Sequence, residues 1–314
     1  MLQLERVLGM ALPAGTLFQC GSVRALAAYT EGHAAHDPRP VNLSRRRSGP
    51  RLFMVAGVHV YRELARRLED TFQVFAVFTG CELTLLSSAN QSPRVEDLAR
   101  DYLTLIRREQ PHGPYYLGGT SFGGILVYEV AQQLARAGEQ VAFVGMIDAM
   151  LPENGILGWV ARARRLAPLP LRELVPLVHD RMRVKLLRAL RRRRAAEFAK
   201  YQDDERFSAM EILRADAQRV SADAYMQTIA TLDVPVALII SGTRISANPH
   251  KARDCGWQPY ARRLSIHEVE ADHLALLEEP SVAEVAAIFA RALPATTPRA
   301  AHAHPPEPDA STVS

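Results

Sequence analysis

The sequence predicts an α/β fold, a mostly parallel sheet covered by helices on both faces. Three observations carry that prediction. Short apolar runs such as Leu52-Phe53-Met54-Val55-Ala56 and Val141-Ala142-Phe143-Val144-Gly145-Met146-Ile147 have the length and composition of fully buried strands. They alternate with amphipathic helical stretches, the pattern of parallel strands joined by crossover helices. One such strand passes into a helix through Gly119-Thr120-Ser121-Phe122-Gly123, where glycines two before and two after the serine let the chain double back sharply.

Composition bounds the rest. A chain of 314 residues, 48% hydrophobic and 23% charged, is globular and long enough for a large core. The net charge of +4 comes from local arginine excess, not from a uniformly basic surface. Cys20, Cys81 and Cys255 lie far apart without metal-ligand spacing, so neither a disulfide framework nor a zinc site is indicated. The N-terminus lacks a basic region followed by an apolar stretch, and no run approaches the ~18 apolar residues that span a bilayer. The expectation is a soluble, cytoplasmic protein with no metal, no nucleic-acid partner and no membrane partner.

Taken in order, residues 1–31 read as a helix end, a Pro-marked loop and a short amphipathic helix from Val23 to Tyr29. Residues 32–50 contain His33, His36, Pro38, Pro40 and Arg45-Arg46-Arg47 without periodicity, so they read as a solvated linker. The core starts at Arg51 with the first buried strand, followed by a helix from Tyr61 to Leu68 and a strand from Phe72 to Val77. After a Ser/Asn/Pro-rich loop from Ser87 to Pro93, Val95, Leu98, Ala99, Tyr102, Leu103 and Ile106 mark one face of a long helix. The strand into Ser121, its helix, and the strand ending Ile147-Asp148 complete the first alternation.

At 151 the alternation breaks. Residues to about 230 are helical and basic; Met182, Leu186, Leu187 and Leu190 share one face, and Arg191 to Arg194 extend the cationic one. A helical insertion between two strands of a parallel sheet reads as a lid over the carboxyl edge, where such folds keep their sites. The sheet resumes with Val234 to Gly242 and Arg263 to Val269. Ser281-Val282-Ala283-Glu284 reads as a capping-box start to a last helix reaching about Leu293. Residues 294–314, rich in Pro, Ala, Thr and His, read as a disordered tail.

A serine hydroxyl needs a base within hydrogen-bond reach and an anion to orient that base. Among ten histidines, His273 follows the last strand and precedes the last helix, the place of the histidine in α/β-hydrolases, whose chain order is Ser, acid, His. The acid has two possible positions. The stretch Ser241 to Ser246 contains no carboxylate, whereas Asp148 ends the strand after the nucleophile helix, so Asp148 is the choice. Asp254, further along a loop, and Asp272, next to His273, are the competing carboxylates. The oxyanion hole needs two backbone N–H groups: that of Phe122, following the nucleophile, and that of Val58, in the loop after the first core strand.

Residues 51–293 resemble the type I thioesterase domains that end polyketide and non-ribosomal peptide synthases. The resemblance rests on Leu52 to Val58, the Gly-Thr-Ser-Phe-Gly-Gly elbow, Ile147-Asp148, Gly256-Trp257 and Glu270-Ala271-Asp272-His273-Leu274. Residues 1–31 resemble the C-terminal half of an acyl or peptidyl carrier protein, without the Asp-Ser-Leu whose serine carries phosphopantetheine. The resemblance implies an α/β-hydrolase fold, a Ser121/Asp148/His273 triad and chain release from a carrier protein or synthase module by hydrolysis or cyclisation. It implies no cofactor of the enzyme's own; the substrate would ride on the phosphopantetheine of a partner carrier. Thr120 departs from the family, which often has His or another large residue there. A free-standing carboxylesterase or lipase on the same fold, and a non-catalytic docking remnant, are the alternative readings.

Overall fold

The computed structural model describes residues 7–9, 23–32, 39–79, 93–152, 214–215, 217–247 and 253–293, with positions 167, 170, 172, 175 and 179. The arginine-rich lid helix expected at 181–190, the run 191–194, most of the carrier-like loop, the loop at 87–92 and the tail lie outside those residues.

Seven strands form one sheet: β1 (Val41–Asn42), β2 (Arg51–Val55), β3 (Gln73–Val77), β4 (Tyr115–Thr120), β5 (Val141–Ile147), β6 (Leu232–Ser241) and β7 (Ala261–Val269). Their order is β1-β3-β2-β4-β5-β6-β7, and only the β1–β3 pair is antiparallel. Among the described residues the α-helices include α1 (Val23–Thr30), α2 (Arg62–Arg67), α3 (Val95–Glu109), α4 (Phe122–Arg136), α5 (Gly242–Ala247) and α6 (Ser281–Ala290). From β2 the chain steps to β3 on one side and then to β4 on the other. The order therefore reverses between β2 and β4, and the crevice outside their carboxyl ends is where an open α/β sheet accepts a ligand.

The apolar runs are buried on both faces because each face carries its own layer. Phe53 and Val55 of β2 look into a core shared with α3 and α4, while Leu52 and Met54 look into one shared with α2 and α6. Each fully buried side chain of that size contributes about 1.5–3 kcal/mol relative to exposure. The edge strand β7 is largely exposed, and Arg262, Arg263 and Glu268 keep that edge charged, which discourages further strand pairing.

Two expectations need correction. Part of the segment read as a linker is structured: Val41 and Asn42 pair with Ala76 and Phe75, the Leu43 N–H donates to the Val74 carbonyl (2.8 Å), and the Ser44 hydroxyl accepts the Val74 N–H (2.8 Å). A two-residue strand is too short to show periodicity in a sequence. The capping box at Ser281 does not form. Pro280 already has right-handed helical angles (φ −87°, ψ −12°), so Ser281 lies inside the first turn and its side chain caps nothing.

Candidate active site

Three strand ends at the carboxyl edge turn in the same unusual way. Ala56 follows β2 at φ 59°, Ser121 follows β4 at φ 55°, and Asp148 follows β5 at φ 48°. Left-handed angles are uncommon for non-glycine residues and persist only where surrounding structure enforces them. Here the sheet does so. Thr120 pairs with Ile147 and Ile147 with Ile239; one residue further, the Ser121 N–H donates to the Ile147 carbonyl (2.8 Å) and the Asp148 N–H to the Ile239 carbonyl (2.6 Å). Ser121 and Asp148 are thereby set side by side on neighbouring strands.

The turn at Ser121 depends on Gly119, because a Cβ there would fall inside the Gly123 carbonyl. With that close approach the chain enters α4 directly, leaving the Phe122 N–H at the helix start without an intrahelical acceptor. The start of α4 lies against the β2 loop, so tightly that a Cβ at Gly123 would sit 3.0 Å from the Ala56 Cβ. Val58 follows in that loop, and among the described residues no hydrogen bond occupies the N–H of Val58 or of Phe122. Tyr61, which the sequence offered only as a helix residue, fastens the two loops. Its hydroxyl donates to the Val55 carbonyl (2.7 Å) and accepts the Thr120 N–H (3.1 Å).

The histidine and the acid meet. His273 Nδ1 donates to Asp148 Oδ2 at 2.5 Å, with the carboxylate side chain fully buried and the imidazole 32% exposed. An ionised carboxylate only accepts, so this bond places the imidazole proton on Nδ1 and leaves Nε2 as the acceptor. Among the described residues no hydrogen bond joins the Ser121 hydroxyl to His273; such bonds often tighten only when substrate is bound. The competing carboxylates serve the backbone instead. Asp254 accepts the N–H groups of Gly256 and Gln258, and Asp272 those of Leu274 and Ala275.

The stretch 241–246, which holds no acid, supports the one on β5. The Ser241 N–H approaches Asp148 Oδ1 at 3.4 Å, and Arg244 Nη1 lies 3.1 Å from Asp148 Oδ2. The hydroxyls of Ser241 and Thr243 both donate to the Ala271 carbonyl (2.6 and 3.0 Å), pinning the loop that carries His273. Trp257 Nε1 donates to the Ala149 carbonyl (2.9 Å), one residue past the acid. None of these partners was expected from the sequence. Each is separated from Asp148 by about a hundred positions; the β5–β6 register brings Ser241 and Arg244 to it, and the loop before β7 brings Trp257.

Behind the elbow, a polar cluster anchors the chain returning from the insertion. The buried Glu129 carboxylate on α4 accepts from Tyr225 (2.8 Å), Gln133 (3.0 Å) and Arg136 (3.1 Å). Tyr128 donates to the Tyr260 carbonyl (2.8 Å) and packs on Trp257 with ring centroids 4.8 Å apart. Burial pushes the Tyr128 phenol up to about 12. Burial, then the Glu129 charge, holds the Tyr225 proton well above the ordinary tyrosine range.

A family model described as "Thioesterase domain" matches residues 53–293. Among curated proteins, the chain is 25% identical over 302 residues to enterobactin synthase component F of Escherichia coli O157:H7, covering 91% of this chain and 21% of that protein. It is 33% identical over 156 residues to the dimodular nonribosomal peptide synthase of Bacillus subtilis, covering 48% of this chain and 6% of that protein. The chain thus spans a small part of the length of these relatives. A solved covalent complex of the NocB thioesterase domain with a fluorophosphonate nocardicin G analogue superposes with a TM-score of 0.54 at 22% identity, over 79% of this chain and 96% of that one. At that identity the likeness is one of fold, the α/β-hydrolase fold.

Proposed function

The chain belongs to the thioesterase domain family, and from that membership we propose that it is a serine thioesterase releasing an acyl, polyketide or peptide chain from a carrier protein. The observation that carries the reading is the His273–Asp148 hydrogen bond at the carboxyl edge, on the strand beside the left-handed turn at Ser121.

In this reading the Ser121 hydroxyl attacks the thioester carbonyl as its proton passes to His273 Nε2. Asp148 holds the ring and offsets the charge of the imidazolium. The oxyanion forms against the N–H groups of Phe122 and Val58, which are preorganised and cost no rearrangement in the transition state. Collapse breaks the C–S bond. The thiol of the carrier's phosphopantetheine leaves with the proton from His273, and the acyl group stays on Ser121 as an oxygen ester. His273 then deprotonates water, or a hydroxyl or amine of the chain itself, and the second attack regenerates Ser121 with hydrolysed or cyclised product. The partner is a carrier protein or synthase module.

The test is Ser121→Ala, read with a fluorescent fluorophosphonate and with an acyl group loaded on a holo-carrier protein. The variant should fold, take up no label and release no acyl chain, a loss of orders of magnitude. Labelling of the variant would remove Ser121 from its role. Wild-type cleavage of simple oxygen esters but not of the carrier-borne thioester would turn the assignment to a carboxylesterase.

A further inference from the structure

We propose that Tyr61 is a positioning residue of the oxyanion hole, its hydroxyl acting as a spacer that fixes the Val58 N–H against the Phe122 N–H. This rests on the thioesterase reading above, which makes those two groups the oxyanion donors. Tyr61 is fully buried and ties the loop after β2 in two places. Its hydroxyl donates to the Val55 carbonyl at 2.7 Å, and its N–H donates to the Val58 carbonyl at 3.3 Å. Between those anchors lie Ala56 and Gly57, both at positive φ (59° and 155°), and the peptide that carries the Val58 N–H. A Cβ at Gly57 would stand 2.8 Å from Val60 Cγ2 and 3.4 Å from the Tyr61 ring, so the loop also packs against the residue that ties it.

The same hydroxyl reaches the other side of the hole. The last pair of the β2–β4 ladder is Val55 with Gly119. The next rung of a parallel ladder would carry the Thr120 N–H directly to the Val55 carbonyl. The Tyr61 hydroxyl stands in that rung instead, accepting the Thr120 N–H at 3.1 Å and donating to the Val55 carbonyl. A rung of two contacts holds the strand ends apart by one further oxygen and still satisfies both polar groups. Val58 comes three residues after Val55, and Phe122 two after Thr120, so the spacing of the two donors is set through Tyr61. Phenylalanine keeps the ring and removes the spacer. The rung must then close directly, drawing the β2 loop towards the elbow, or leave a buried donor and acceptor unpaired. Either outcome releases Val58 from its fixed place against Phe122, and an oxyanion donor acts only within about 2.7–3.1 Å of the oxygen it serves.

The experiment compares labelling by a fluorescent alkyl fluorophosphonate with labelling by its fluorophosphonothioate, in which sulfur replaces the phosphoryl oxygen. With either probe the Ser121 oxygen bonds to phosphorus, the P–F bond breaks, fluoride leaves and the serine proton goes to His273. Only the atom that the oxyanion hole receives differs, and sulfur is the larger and poorer acceptor. The ratio of the two second-order rates therefore reads the hole, with intrinsic reactivity cancelling between variants. Tyr61→Phe, its fold checked by circular dichroism, should react with the oxygen probe about tenfold to a hundredfold more slowly, short of the loss of about 10²–10³ that follows removal of a whole donor. The sulfur probe should lose much less, so the ratio should contract by about tenfold or more. An unchanged oxygen rate, or equal falls with both probes, overturns the proposal. If the Phe variant does not fold, Tyr61→para-aminophenylalanine decides, since it keeps a donor for the Val55 carbonyl but offers the Thr120 N–H a poorer acceptor. A ratio contracted a few-fold is then for the proposal, and an unchanged ratio is against it. Ser121→Ala keeps the two readings apart. Labelling of that variant would defeat the nucleophile and this proposal together, whereas an unchanged ratio in Tyr61→Phe beside an unlabelled Ser121→Ala defeats this proposal alone.

Discussion

Replacing Asp148 with Asn changes one oxygen to an NH2 and removes one charge, and the contacts of the carboxylate show what each orientation of the amide would lose. Suppose the NH2 takes the place of Oδ2. It then points donors at His273 Nδ1 and at Arg244, so the ring must carry its proton on Nε2 and can no longer accept one from Ser121. A wrong tautomer of this kind in a Ser-His-Asp triad lowers kcat by about 10⁴. Suppose instead the oxygen keeps the place of Oδ2. The only direct conflict is then with the Ser241 N–H, a long contact at 3.4 Å, and the ring stays in its tautomer. Arg244 favours this second orientation. What remains lost is the charge facing the imidazolium; unit charges roughly 4 Å apart at an effective dielectric near 20 interact by about 4 kcal/mol. At 1.36 kcal/mol per decade this is about 10³ in rate. The expected fall in acyl release or fluorophosphonate labelling is therefore about 10³, approaching 10⁴ only if the amide flips. Retention of more than about a tenth of the wild-type rate, with Asp272→Asn or Asp254→Asn inactive instead, would refute the assignment. A carboxylate installed at Thr243 is not expected to rescue the variant, because it would face the Ala271 carbonyl that the Thr243 hydroxyl now satisfies.

Three further outcomes are expected. Gly119→Ala forces a Cβ into the Gly123 carbonyl, with main chain on both sides and no side chain to give way, so it should destabilise by about 3 kcal/mol in urea denaturation and abolish labelling; an unchanged midpoint would contradict the close approach. Tyr128 holds its proton up to about 12 in the fold, against about 10 when unfolded. A raised value means that this contribution is complete below pH 10 and is lost as pH rises towards 12, so Tm should fall across that window more steeply than in Tyr128→Phe; parallel curves would argue against it. Deleting residues 1–38 should leave Tm and labelling unchanged, whereas deleting 1–45 removes β1 and the Ser44 hydrogen bonds and should lower Tm by about 5 °C. Equal Tm values for the two truncations would mean that β1 contributes nothing.

Much of the architecture was legible because parallel strands buried on both faces must be apolar throughout. β2, β3, β4 and β5 appear in the sequence within a residue or two of their ends. The sharp turn at Ser121 was legible through its two glycines, and the position of His273 between the last strand and the last helix through chain order. Asp148 required elimination, since an aspartate at a strand end has many ordinary uses. The supporting residues were not legible, and for one reason. Tyr61, Ser241, Arg244 and Trp257 act through contacts that cross from one strand end to another, and nothing in their local spacing differs from that of residues in an unremarkable helix, turn or loop. β1 is read only from its partner, and the Ser281 box fails because the preceding proline had already begun the helix.

The two ends of the insertion between β5 and β6 converge on one aromatic pair. Where the chain leaves the sheet, Trp257 holds the Ala149 carbonyl and the Leu151 N–H donates to the Cys255 carbonyl (3.1 Å). Where it comes back, Tyr128, stacked on that tryptophan, reaches the Ala230 carbonyl (3.2 Å), and Tyr225 is bound to the buried Glu129. The body of the protein therefore closes this long loop itself. The register of β5 against β6 is thus held by contacts at the two ends of the loop, and because the entropy of closing a loop grows only slowly with its length, a change in that length would be felt weakly at the sheet.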